Sequence, residues 1–93
     1  MSYYALIYEL IDEYIERRAV FRAEHLKLAA ASNARGELVL AGAFAEPPDQ
    51  ALLIFQAADR KVPERFARED PYVLNGLVKR WKVRPWTVVT GNK

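Results

Sequence analysis

Two short stretches of the chain carry side chains able to do chemistry. R-R-A-V-F-R-A-E-H at 17–25 places Arg18, Arg22 and His25 at offsets i, i+4 and i+7. E-D-P-Y-V-L-N-G-L-V at 69–78 sets Asp70 before a proline and an aromatic, with Gly76 closing the phrase. His25 is the single histidine, so if the Asp70 carboxylate has an acid–base partner, only one imidazole is available. Imidazole titrates near neutrality and can take and return a proton at working pH. A carboxylate on its second nitrogen fixes tautomer and ring direction and stabilises the imidazolium. That pairing is general acid–base machinery. A guanidinium beside it suits a carboxylate or enolate oxygen.

Each of these residues also has a plain structural role. Arg18 and Arg22 can run their stems along apolar surface and keep their heads in water. A lone helical histidine packs and hydrogen-bonds readily without turning anything over. Asp-Pro reads as an N-cap with a first-turn proline, worth about 1 kcal/mol, and Gly76 would end the short turn. Capping and pairing are compatible for Asp70. One oxygen can accept from backbone N–H groups while the other faces His25.

Composition narrows the chemistry. There are no cysteines, so disulfides, thiolate zinc sites and thiol catalysis are excluded, and one histidine argues against a His-rich metal site. No G-x-S-x-G elbow offers a serine nucleophile. The net charge is +2 with acids and bases mixed, which argues against a nucleic-acid partner. The start, M-S-Y-Y-A-L-I-Y-E-L, lacks the basic region of a signal peptide, and no apolar run is long enough for a bilayer. The expected location is the cytoplasm, with no membrane partner.

The elements that must position these groups can be read from pattern. Residues 3–10 are a short apolar strand, and Asp12 is placed to cap the next element. Residues 14–35 are rich in Ala, Leu, Glu, Arg and Lys without Gly or Pro, a long helix that Gly36 should stop. Residues 37–44 and 51–57 are strands joined by the turn E-P-P-D-Q. Pro63 opens a short helix through Glu69, and 77–90 is a last strand in which Pro85 signals an edge or a bulge. The order β-α-β-β-α-β is the ferredoxin-like α+β arrangement: four antiparallel strands with both helices on one face, a single domain over 1–93. Two helices leave the other sheet face uncovered. With five Tyr, four Phe and two Trp in 93 residues, that predicts a homodimer through the sheets.

At 100° per residue the long helix has an apolar arc of Tyr14, Phe21 and Leu28, extended by Ile15, Ala19, Leu26, Ala29 and Ala30. Arg18, Arg22 and His25 fall inside it. A guanidinium there is costly to bury unpaired, so these heads either reach water or line a cavity. Ala29, being small, would leave room for one.

Four segments of the chain together resemble a known family. R-A-E-H-L at 22–26, L-V-L-A-G-A at 38–43, F-A-R-E-D-P-Y-V-L-N-G-L-V at 66–78 and V-R-P-W at 83–86 are similar to the corresponding elements of YciI-like, or YCII-related, proteins. One departure is Gln50-Ala51, where that pattern has a glycine opening the third strand; the preceding E-P-P-D loop is then expected to shape the pocket mouth differently. The resemblance implies a dimeric α+β barrel and an active site built on a His–Asp pair, here His25 and Asp70. It implies no single reaction, since the wider fold group contains isomerases, dehydrochlorinases and cofactor-free monooxygenases.

The resulting expectation is proton transfer on a small anionic or phenolic molecule, by isomerisation or by elimination such as dehydrochlorination. His25 is base and acid, Asp70 its orienter, and Arg22 with Arg18 anchors negative charge. Tyr72 can reach the pocket, though an aromatic after Asp-Pro also serves packing. Tyr4, Tyr8, Phe44, Tyr72 and Trp81 are candidate cavity walls, and Trp81 and Trp86 fill the sheet or the dimer interface. The scheme requires no metal or organic cofactor. Two readings of other classes stand beside it: a small-molecule binding or accessory domain without turnover, and an interaction protein whose dimer surface is its purpose.

Overall fold

The computed structural model describes residues 2–91. The elements run β1 (Ser2–Leu10), α1 (Tyr14–Ala34), β2 (Leu38–Ala43), β3 (Gln50–Ala57), α2 (Lys61–Glu69), α3 (Pro71–Leu74) and β4 (Val78–Trp86). The four strands form one antiparallel sheet in the order β2-β3-β1-β4. This is the expected ferredoxin-like α+β fold, and the short turn read between Asp70 and Gly76 is present as α3, ahead of the last strand. None of the described helices is long and apolar enough to cross a membrane.

Strand alternation divides the sheet into two unlike faces. Leu6, Tyr8 and Leu10 of β1, with Leu53 and Phe55 of β3, point to the helices and form the core with Phe66, Ala67, Tyr72 and Leu77. Phe55 and Phe66 meet edge to face at 5.3 Å. Ala5, Ile7, Leu52 and Ile54 alternate onto the opposite face, where no described element packs over them, and β4 adds the half-exposed Trp86.

Two helix ends are set by glycine. Gly36 has φ +81°, and the Gly36 and Glu37 amides donate back to Asn33 and Ser32. Gly76 has φ +79°, and the Gly76 and Leu77 amides donate to Val73 and Tyr72. Both are Schellman closures, which use the left-handed conformation that glycine adopts without steric cost. The second drops Leu77 into the core and aims the chain into β4.

Several boundaries differ from the expectation. Asp12 does not cap α1: Glu13 holds that position and makes no side-chain cap bond. Helix α2 begins at Lys61, not Pro63, and the Asp59 side chain accepts from the Lys61 amide. Pro63 is tolerated there because first-turn amides lack intrahelical acceptors. Strand β4 stops at Trp86, opposite Tyr3, and only Ser2 of the described β1 lies beyond that pair, too little to carry a strand on to residue 90. Pro85 does lie on an edge strand, as its missing N–H requires. The buried stripe of α1 is narrower than the arc expected from sequence. Tyr14 and Ser32 are buried along it and Arg18, Phe21, His25, Leu28 and Ala29 partly so, while Ile15, Ala19, Arg22, Leu26 and Ala30 are exposed.

Candidate functional site

Helix α1 lies across the sheet with Arg18, His25 and Ser32 among its inward residues, so its covered stripe is partly polar from the start. The turn from α2 to α3 supplies what one of them needs. Asp70 is the last residue before α3, its extended backbone (φ −69°, ψ 122°) turning the chain between the two helices. Its side chain is fully buried, at 0% exposure. A buried carboxylate must be paired or hydrogen-bonded on most of its lone pairs.

Three donors meet that requirement. His25 Nδ1 lies 2.8 Å from Asp70 Oδ1. The Tyr72 amide donates to the same oxygen at 3.0 Å, which is the N-cap bond of α3. The Tyr8 hydroxyl donates to Oδ2 at 2.7 Å. The division of labour therefore differs from the expected one: Oδ1 serves the cap and the imidazole together, and Oδ2 is taken by a phenol from β1. Hydrogen bonds to a charged group contribute about 1.5–3 kcal/mol each, enough in sum to hold a desolvated carboxylate in place.

The imidazole is fixed on a second side. Its ring stacks on Tyr72, with centroids 3.9 Å apart and planes 8° from parallel. Tyr14 meets the same Tyr72 ring edge-on at 5.7 Å. With Nδ1 turned to the carboxylate, the proton of a neutral imidazole sits on Nδ1, and Nε2 is the nitrogen left with a free lone pair.

Next to this cluster is a cavity of about 240 Å³ between α1 and the sheet. Arg18, Arg22, His25 and Tyr72 border it on the helical side, and Ala41, Ala43 and Ala51 form its floor on β2 and β3. Arg18 rests its guanidinium 5.4 Å from the centre of the Tyr14 ring, a cation–π distance. Among the described residues neither Arg18 nor Arg22 forms an ion pair. The wall is thus aromatic and small-aliphatic, with two guanidinium groups outside any described ion pair and one imidazole on one side.

The charges act on the neighbouring phenols. Burial, together with the charge and hydrogen bond of Asp70, pushes the Tyr8 hydroxyl far above the ordinary tyrosine range. It remains a donor at any physiological pH. The Tyr72 hydroxyl is also raised, chiefly by burial and then by Tyr14, with Arg22 and Arg18 pulling the other way. It is buried without a hydrogen-bond partner among the described residues. No cluster of three or more His, Asp or Glu side chains suited to a metal ion occurs among the described residues.

All five residues singled out in the sequence, His25, Asp70, Arg22, Arg18 and Tyr72, gather here, and Ala29 borders the cavity as its size suggested. Of the expected walls, Tyr8 and Tyr72 line it. Tyr4, Phe44 and Trp81 do not: Tyr4 and Trp81 pack against the core beyond the cavity, and Phe44 lies toward the opposite sheet face. The E-P-P-D loop does not shape the mouth either, since β2 and β3 border the cavity only through residues 41–43, 51 and 53. Sequence reasoning missed Tyr8 as a partner of Asp70 and Tyr14 as a wall. A signal existed for each: Tyr8 alternates in phase with Leu6 and Leu10, so its hydroxyl must be buried and satisfied, and Tyr14 stands one turn before Arg18.

Fold and site together define a ferredoxin-like α+β protein with a polar cluster held beneath its long helix. The YCII-related domain matches residues 1–87, and the chain belongs to that family. No curated protein matches it. Among solved structures, the chain is similar to 5-chloro-2-hydroxyhydroquinone dehydrochlorinase from Burkholderia phenoliruptrix in complex with 2,5-dihydroxybenzoquinone. The TM-score is 0.76 at 17% identity, over 91% of this chain and 93% of that one. A NIPSNAP family protein from Agrobacterium tumefaciens is similar with TM-score 0.59 at 15% identity, over 94% and 91% of the two chains. At these identities the likeness is one of fold.

Proposed function

We propose that the protein is a small-molecule enzyme that moves a proton on a small anionic or phenolic substrate, by elimination or isomerisation, with His25 and Asp70 as its acid–base dyad. The observation that carries this reading is the 2.8 Å bond between His25 Nδ1 and a fully buried carboxylate, at the edge of a cavity of about 240 Å³. Nε2 takes the proton, and Asp70 stabilises the imidazolium that results. In an elimination the electron pair of the carbon–halogen bond leaves with the halide, and the imidazolium gives its proton to water. In an isomerisation the imidazolium returns it to a different carbon. Arg22 and Arg18 neutralise the charge that develops on the substrate oxygen. Tyr72 holds the imidazole plane and closes one side of the pocket. The dehydrochlorinase of similar fold supports a hydroxylated aromatic ring as the first substrate class to try.

The reading includes a homodimer. An open sheet face carrying the part-exposed Ile7 and Leu52 and the half-exposed Trp86 supports a second copy packed sheet to sheet, with the two cavities on the outer, helix-bearing sides.

The test is hydrogen–deuterium exchange at carbon in D2O, followed by NMR over a panel of hydroxybenzoates, hydroxyquinols and their chlorinated forms, with chloride release measured in parallel. Wild-type protein is expected to accelerate exchange or chloride loss for at least one compound. His25→Gln should lower that rate by roughly 10²–10⁴-fold while the fold and ligand affinity persist. Binding without turnover across the panel, or a His25→Gln protein as active as wild type, would overturn the enzyme reading.

A further inference from the structure

Tyr8 is a buried phenol at 1% exposure, on the central strand β1, and its hydroxyl lies 2.7 Å from Asp70 Oδ2. The other carboxylate oxygen is occupied by His25 and the Tyr72 amide. Helix α1 provides the imidazole, the α2–α3 turn provides the acid, and the rigid centre of the sheet provides the third member. We propose that Tyr8 is a positioning residue that acts on the imidazole through Asp70, locking the carboxylate's orientation and moderating its charge. The proposal rests on the His25–Asp70 reading for its role in turnover, but its physical content does not depend on turnover.

The phenol and the imidazole compete for the same negative charge. A neutral donor on Oδ2 stabilises the carboxylate whether or not His25 is protonated. Without that donor the buried anion is under-solvated, and the proton on the imidazole becomes its main compensation. Removing the hydroxyl must therefore raise the proton affinity of the His–Asp pair. A free Oδ2 would also let the carboxyl group swing about its bond to Cβ, loosening the line between Oδ1 and Nδ1.

Other charges facing His25 must be held constant. Helix α1 presents Arg18, Arg22 and Tyr14, α3 presents Tyr72, and β1 presents Tyr8 itself. Strands β2 and β3 contribute only Ala41, Gly42, Ala43, Ala51 and Leu53 to the cavity, none of which titrates. Replacing Tyr8 by Phe leaves all the others in place and preserves the ring.

The experiment is an NMR titration of the only histidine in the sequence, so no assignment ambiguity arises. In Tyr8→Phe the apparent pKa of His25 is expected to rise by roughly 0.5–1 unit. In the Asp70→Asn background the same substitution should change it by far less, because the carboxylate that relays the effect is gone. An unchanged value in folded Tyr8→Phe protein would overturn the proposal, as would an equal shift in both backgrounds. If Tyr8→Phe does not fold, 3-fluorotyrosine placed at position 8 alone makes that phenol a stronger donor, leaves Tyr14 and Tyr72 unchanged and should lower the His25 value; no change there would likewise overturn it. A protein inactive on every substrate leaves this titration readable, so failure of the enzyme reading and failure of the Tyr8 role are separate results. Once a substrate is found, the acidic limb of the Tyr8→Phe rate profile should move upward with the titration.

Discussion

The ring of His25 lies flat against the ring of Tyr72, 3.9 Å away and 8° from parallel. Tyr72 stands two residues after Asp70, so one short turn supplies both the acid that holds Nδ1 and the surface that holds the ring. The two functions of the Tyr72 side chain are separable. Its ring packs against His25 and Tyr14, whereas its hydroxyl is buried with no partner among the described residues. Tyr72→Phe should leave stability unchanged or raise it by up to about 1 kcal/mol, since an unsatisfied buried hydroxyl is a net cost. Tyr72→Leu should lose roughly 1–3 kcal/mol with both ring contacts. Urea unfolding of the two variants checks this, and a larger loss for Phe than for Leu would show that the hydroxyl has a partner in solution.

Asp70 holds three donors from three elements, so it is expected to be among the most sensitive positions to truncation. Asp70→Ala strands the Tyr8 hydroxyl, the Tyr72 amide and the imidazole, and should cost about 3–5 kcal/mol. Asp70→Asn keeps a capping oxygen and should cost nearer 1–2 kcal/mol. Chemical denaturation at neutral pH measures both. A loss under 1 kcal/mol for the alanine variant would mean that water replaces the carboxylate freely.

The raised Tyr8 hydroxyl sets a direction for stability against pH. The folded value lies above the unfolded one, so the folded state holds this proton more tightly. Its contribution is complete below the unfolded tyrosine value, about 10, and is lost as pH climbs from there toward the folded value. The raised Tyr72 hydroxyl works in the same direction. Unfolding midpoints should therefore be insensitive to these groups through neutral pH and fall above about pH 10. Tyr8→Phe should fall less steeply there. Absorbance at the phenolate band should show tyrosines that ionise only as the protein unfolds; a smooth titration of all five at ordinary pH would contradict the buried cluster.

The uncovered sheet face gives the last prediction. Sedimentation equilibrium should return twice the mass of one chain. Leu52→Glu, at the centre of that face, should return the monomer with its circular dichroism intact. Contiguous exposed apolar patches mark interaction surfaces, and the proposed partner here is a second copy of the chain. A monomeric wild type at micromolar concentration would remove the dimer from the proposed function.

Much of this fold is legible in one dimension, and the reason is local. Strand alternation, a long helix without Gly or Pro and the glycines at 36 and 76 are read within a window of a few residues. Hydrogen bonds and φ preferences act over the same range. The helical angle likewise places Arg18, Arg22 and His25 together, because spacing along one helix already fixes which residues are neighbours. The arc expected from sequence is too wide because apolar side chains such as Ile15 and Leu26 satisfy the pattern whether or not anything packs on them.

What only tertiary structure decided was how Asp70 spends its two oxygens. Its bond to Tyr8 spans 62 residues, and its bond to His25 spans 45. No propensity or period encodes such a contact, since it depends on β1, α1 and the α2–α3 turn arriving at one point. By local pattern alone, Asp70 is a cap before a proline and His25 an imidazole on a helix; their pairing is legible in the sequence only through the resemblance to YciI-like proteins, and the Tyr8 bond not at all. Packing the helix onto the sheet removes water from between them, and with water gone the carboxylate has to take its hydrogen bonds from the phenol, the amide and the imidazole that the fold brings to it.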